Sequence, residues 1–213
     1  MKAKSFLSQS RRSPSVIRER GFSLIELLVV VAIIMSIAVA ATPSMVNVIS
    51  TARMRGNMSS LATFIQQARA DAIRENKTRS IYTTLSNSEY IVYKADVATG
   101  GTNPAMSVAD GIIPMGKQVT YLGTPTGAGA PSVLDSNTAF GSTITAGSAT
   151  ISINSRGMPC AYNTASGKCV APAAFIWYFV FQPPFGSNRW GAMSISQAGR
   201  IKAWYWDGAE WTN

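Results

Sequence analysis

The sequence predicts an α+β chain, with one long N-terminal helix packed on antiparallel β-sheets. Three observations predict it. An apolar run of twenty residues lies near the N-terminus. Helical periodicity continues from it to about Asn76. After Asn76 the hydrophobic pattern changes to period two. A length of 213 residues suits one ordinary domain plus an accessory segment, and 46% hydrophobic residues are enough to build a core.

The first element is the apolar run Phe22 to Ala41. A helix of that length spans about 30 Å, the hydrocarbon thickness of a bilayer. Lys2, Lys4, Arg11, Arg12, Arg18 and Arg20 precede it, against Glu19 alone, and no basic residue lies inside it. The positive-inside rule puts residues 1–20 in the cytoplasm and the chain after Ala41 across the membrane. Two processing readings compete. An ordinary signal peptidase would cut after the small residues Ala38–Ala40 and release a soluble periplasmic binding protein. Alternatively, the chain is cut between Gly21 and Phe22 and keeps the apolar run. The run is longer than a typical export h-region, and it holds a carboxylate, Glu26. A buried carboxylate costs roughly 2.5–3.5 kcal/mol on membrane-insertion scales, so Glu26 needs a role. An amine at Phe22 of one subunit could neutralise Glu26 of its neighbour and set the register between packed helices. The competing reading is that Glu26 snorkels to the headgroups.

The second element is the helix beyond Pro43. Proline removes a backbone hydrogen bond and is expected to kink it. Met54, Met58, Leu61, Ile65, Ala68 and Ala72 recur at steps of four and three, forming one apolar stripe. Arg53, Gln66, Gln67, Arg69 and Arg74 fall largely elsewhere. The stripe needs a partner surface, and the following strands supply the obvious one.

The strands follow. Ser80–Leu85 and Glu89–Lys94 flank "SNS" and read as a β-hairpin. Residues 96–147 are rich in Gly, Ala, Thr, Pro and Ser; they read as loops around a short strand at Gln118–Leu122. Ala149–Ile153, Ala173–Gln182 and Trp190–Ser196 read as further strands. Arg200–Trp206 pairs back through a turn at Gln197–Gly199. The segments are thus 1–21, a basic leader; 22–42, a transmembrane helix; 43–76, an amphipathic helix; and 77–213, an antiparallel β domain outside the cytoplasm.

"RGFSLIELLVVVAIIMSIAVAATPSM" resembles the leader and class III signal of type IV pilins and pseudopilins. Gly21 matches the residue before the cut, Phe22 the N-methylated first residue, Glu26 the fifth-position glutamate and Pro43 the helix-kinking proline. Ser23 stands where threonine is commoner. "INSRGMP" (Ile153–Pro159) and "SISQAGRIKAW" (Ser194–Trp204) resemble the two C-terminal landmarks of the GspH/FimT branch. The resemblance implies a pilin-like fold, a prepilin peptidase as processing partner, other pilin or pseudopilin subunits as assembly partners, and residence in the inner membrane. It implies a non-enzymatic minor pilin of a FimT/FimU-like kind; the alternative is a GspH-like pseudopilin of the type II secretion system.

Outside the cytoplasm, Cys160 and Cys169 lie in an oxidising compartment. Their nine-residue separation matches no zinc or redox motif, and a structural disulfide is the reading. The chain has no histidine, no Gly-rich phosphate loop and no metal-ligand cluster. No catalytic, cofactor or metal site is expected from the sequence.

One strand carries a sharper expectation. Alternation puts Arg200, Lys202, Trp204 and Trp206 on one side and Ile201, Ala203 and Tyr205 on the other. Interleaved cations and indoles suit DNA, a polyanion with stackable bases. Arg189, before Trp190 on the partner strand, would extend the patch. "GRIK" resembles the Gly-Arg-x-Arg element of FimT-type minor pilins, with Lys202 in place of the second arginine, which loses bidentate phosphate geometry. The competing reading is an edge strand blunted by charge, with tryptophans packed under a loop.

Overall fold

The computed structural model describes residues 22–97, 104–122, 124–126, 129–140, 146–147, 150–183 and 187–213; the side chains of 40–44 and 146–147 are not among those described. The chain divides into two compact units, residues 1–42 and residues 43–213.

The first unit contributes the beginning of a long helix, α1 (Leu24–Arg74). Every described side chain from Phe22 to Val39 is exposed. Pro43 lies inside α1, where the backbone is helical.

The second unit is built on the rest of α1 and on two sheets; among the described residues these hold twelve strands, all antiparallel to their neighbours except one. Met54, Met58, Leu61, Ile65, Ala68 and Ala72, the stripe read from the sequence, are all buried, with Phe64 beside them. Full burial of each Met, Leu, Ile or Phe side chain here stabilises by roughly 1.5–3 kcal/mol, so the stripe anchors this part of the helix. The helix stops because Asn76 takes a left-handed backbone conformation, φ +52°. Lys77 N–H then donates to Ala72 O and Asn76 N–H to Ile73 O, which satisfies two terminal carbonyls.

The first sheet has the order β3-β2-β1-β6-β7-β8. Its centre is the expected hairpin, β1 (Arg79–Ser86) and β2 (Glu89–Asp96). The two-residue connection Asn87–Ser88 has positive φ at both positions, which matches the right-handed twist of the strands. β3 (Gly111–Pro114) adds to one side, and β6 (Ile151–Ile153), β7 (Pro159–Asn163) and β8 (Lys168–Pro172) to the other. The second sheet runs β12-β11-β10-β9-β4. It comprises β4 (Val119–Leu122), β9 (Ala174–Phe181), β10 (Arg189–Ile195), β11 (Ile201–Trp206) and β12 (Trp211–Thr212). The short β5 (Ala146–Gly147) lies parallel to the start of β9.

Both sheets turn residues towards α1. Ile81, Val92, Ile151 and Ile153 come from the first sheet; Phe175, Trp177, Phe179, Met193 and Ile195 come from the second. β9 is buried along its whole length because its other face is covered too. Ile176 and Tyr178 sit there with Leu134, Ala139, Ala192 and Trp204, under the short helix α2 (Ser136–Phe140). Leu134 N–H donates to the Tyr178 hydroxyl, 3.0 Å. On the first sheet, Tyr82 and Tyr93 stack at 5.3 Å under Met106 and Ala109, beside a 3-10 turn at Met106–Val108.

Several expectations need correction. Residues 96–147 hold β3, the 3-10 turn, α2 and β5 besides the expected strand, and they cover the outer faces of both sheets. The strands around the cysteines were not expected: Cys160 lies in β7 and Cys169 in β8, with their Cα atoms 5.6 Å apart across a disulfide. Closing so short a ring stabilises by about 2–3 kcal/mol in the chain-entropy picture. β12 gave no recognisable signal.

Two glycines have a stated steric reason. Arg69, on α1, donates from Nε to Gly157 O (2.8 Å) and from Nη1 to Gly199 O (2.7 Å). Both glycines have φ +76°. A Cβ at Gly199 would lie 2.8 Å from Arg69 Nη2, and one at Gly157 would lie 2.7 Å from Ile73 Cδ1. The two turns, "SRG" and "QAG", are thus held by a single side chain of the helix.

Candidate functional site

The N-terminal segment is exposed hydrocarbon. Leu24 is 80% exposed and Ile37 64%. Isolated apolar residues on a surface are ordinary, but a helix apolar all round needs a covering, either lipid or other helices. Among the described residues, no helix is long and apolar enough to cross a membrane. The sequence's apolar run extends to Ala41, past Val39, the last described side chain of that stretch.

The start of α1 follows from Ser23. Its carbonyl accepts the N–H groups of Glu26 (3.0 Å) and Leu27 (3.1 Å), which places it at the N-cap. Glu26 is then in the first turn, three residues on, where a carboxylate is favoured by the helix dipole. Its position therefore has a local use besides any intersubunit one. Gly21 lies outside the described residues; Phe22 and Glu26 are exposed.

The cationic strand divides differently from the expectation. Ile201, Ala203 and Tyr205 pack against the main core. On the opposite face Trp204 is only 4% exposed, buried under α2, and its indole N–H donates to Ser194 Oγ, 2.8 Å. It offers no free ring face for a base. Lys202 Nζ lies 4.7 Å from the Trp204 ring centroid, and Trp206 meets Trp211 edge-on at 5.5 Å. Arg200 is exposed, just before β11. Arg189 is on the other side of the sheet, as Gly191 against Met54 and the core residue Met193 show for its alternation partners. Its Nη2 donates to Asn47 Oδ1, 3.2 Å. The five residues read as one patch are therefore not one patch.

Residues 17–42 match the family description "Prokaryotic N-terminal methylation motif". The match lies wholly in the N-terminal segment. The matched segment takes in Gly21, Phe22 and Glu26. Two crystal structures of the type IV minor pilin FimU from Pseudomonas aeruginosa are similar to the chain. One, in space group P21, has 15% identity and a TM-score of 0.40, covering 75% of this chain and 92% of that one. The other, in P65, has 16% identity and a TM-score of 0.39, covering 75% and 97%. No curated protein matches.

Some exposed residues escaped sequence reasoning. Met45 (67% exposed), Val48 (66%) and Ile49 (41%) continue apolar surface beyond Pro43. The signal was present: the apolar character does not end with the run at Ala41. Arg69 carried none, since a lone arginine off the apolar stripe reads as a solvated face.

Proposed function

We propose that the chain is a non-enzymatic minor pilin that is cut by a prepilin peptidase between Gly21 and Phe22, methylated at Phe22 and held in the inner membrane by its N-terminal helix. From there it assembles with other pilin subunits into, or primes, a type IV pilus. The methylation motif over residues 17–42 carries this reading. The exposed apolar helix supports it, because such a surface requires lipid before assembly and neighbouring helices after it. Glu26 meets the Phe22 amine of a neighbour inside that apolar packing, where a paired charge costs far less than an unpaired one. Pro43 bends α1 in this reading. Head-to-tail contacts of this kind generate an open helical filament. The type II secretion pseudopilus would use the same processing and packing; a neighbourhood of secretion genes in place of pilus genes would select it.

Intact mass of the membrane-extracted protein tests the processing. Loss of residues 1–21 with one added methyl group is expected; loss of residues 1–40 overturns the reading. Glu26→Ala is expected to be cut and inserted but to enter filaments poorly, as measured by its share in sheared pili. Normal incorporation would remove the charge pairing.

A further inference from the structure

The assembly role proposed above makes no use of a pair of cations in the second unit, Arg55 and Arg189. On α1, Asn47, Val48, Thr51, Ala52 and Arg55 recur at helical spacing on one face. With Arg189 they line a groove of about 510 Å³. It adjoins a narrower cleft of about 160 Å³ lined by Arg55, Arg189, Trp206 and Thr212 among others. Arg189 gives one N–H to Asn47, but its Nε is buried with no hydrogen-bond partner among the described residues. A buried donor without an acceptor is costly, and a guanidinium fork is matched by phosphate or carboxylate oxygens. Arg55 is exposed; its guanidinium carbon lies 5.7 Å from the Tyr205 ring centroid. Neither arginine forms an ion pair among the described residues. Asp207 also lines the cleft, but its Oδ1 already accepts the N–H groups of Ala209 and Glu210, each at 2.8 Å.

Beside these cations the helix is apolar and open: Val48 and Ile49 are exposed, as is Met45. In sequence, Asn47 is only six positions past Ala41, the end of the apolar run. A positive head above an apolar wall is complementary to an anionic amphiphile. Resting on the membrane-resident reading above, we propose that the Arg55–Arg189 cleft binds the phosphate of an anionic phospholipid headgroup, with the glycerol and first acyl carbons against Val48 and Ala52.

The test uses the full processed chain in neutral detergent, with ¹⁵N-labelled arginine. The Arg189 Nε–Hε resonance is followed while short-chain phosphatidylglycerol is added. Parallel titrations use diacylglycerol of the same chain length, inorganic phosphate and an acidic peptide. A saturable shift with phosphatidylglycerol is expected, about tenfold tighter than with any of the other three, the scale of one charge-assisted hydrogen bond. Arg55→Gln is expected to weaken it about tenfold, on the same scale. Arg189→Gln should abolish it, read through the Arg55 resonance. Should Arg189→Gln fail to fold, the exposed Arg55 carries the test. Absence of a saturable shift, equal binding of inorganic phosphate or diacylglycerol, or tighter binding of the peptide overturns the proposal. Intact mass separates the two readings: a chain that is cut and methylated yet insensitive to the lipid sinks this proposal and leaves the filament role standing.

Discussion

Arg69 shows how much a single side chain can organise. It reaches from the helix to the carbonyls of Gly157 and Gly199, which belong to turns far apart in sequence. Two charge-assisted bonds disappear in Arg69→Ala, and two carbonyls lose their donor. A loss of about 2–3 kcal/mol is expected. Gly199→Ala meets the same guanidinium from the other side, in a backbone conformation that disfavours a side chain. It is expected to cost about 1–3 kcal/mol. The two changes share a partner, so the double variant should fall short of their sum. Denaturant unfolding of the full chain in detergent, followed by near-ultraviolet circular dichroism, measures all three. Additive losses would separate Arg69 from the turn. Little of this was legible in the sequence: "QAG" reads as a turn, but nothing in it or in "SRG" named the residue that holds them both.

At the scale of elements, the end of α1 is tied to the hairpin by charge. Lys94 on β2 donates to Asp71, and Arg79 on β1 contacts Glu75, Asp96 and Asp110. The hydrogen bond from Lys94 holds the Asp71 carboxyl below the ordinary value of 3.8, although burial acts against it. A depressed carboxyl contributes stability that is fully present above its unfolded value and is lost as pH falls through its folded value. Unfolding free energy is therefore expected to decline below about pH 4, and Asp71→Asn should flatten part of that decline. An unchanged acid limb in the variant would detach Asp71 from it. The helix stripe, the β1–β2 hairpin and the β9–β10–β11 meander were legible, because each buries a repeating face. The covering segments were not. Met106, Leu134 and Ala139 are single anchors in a Gly-, Ser- and Pro-rich stretch, and one anchor has no period. β7 and β8 escaped for a related reason: β8 is the outermost strand and mostly exposed, so it has no apolar face to show.

For the whole molecule, basic charge and exposed apolar surface gather in the N-terminal segment. The chain's formal charge of +9 is concentrated disproportionately in the basic residues before Gly21. The β domain's candidate nucleic-acid face is reduced by folding to Arg200, Lys202 and Trp206, with Trp204 buried and Arg189 on the opposite side. Arg200→Ala with Lys202→Ala is expected to leave DNA retention unchanged. A steep salt-dependent retention that the double variant removes would restore that face. The alternation along β11 was legible but the burial of Trp204 was not, because a strand's pattern does not show which of its faces another segment will cover. β9 carries that point furthest. "AFIWYFVF" has no charge, no proline and no glycine, and it is screened on both sides in the finished fold. Before its cover arrives, such a stretch is a template for intermolecular β stacking. Changes at Leu134 or Ala139 should therefore register in a cell as missing protein, lost to clumping during biogenesis, while the few copies that do mature work normally.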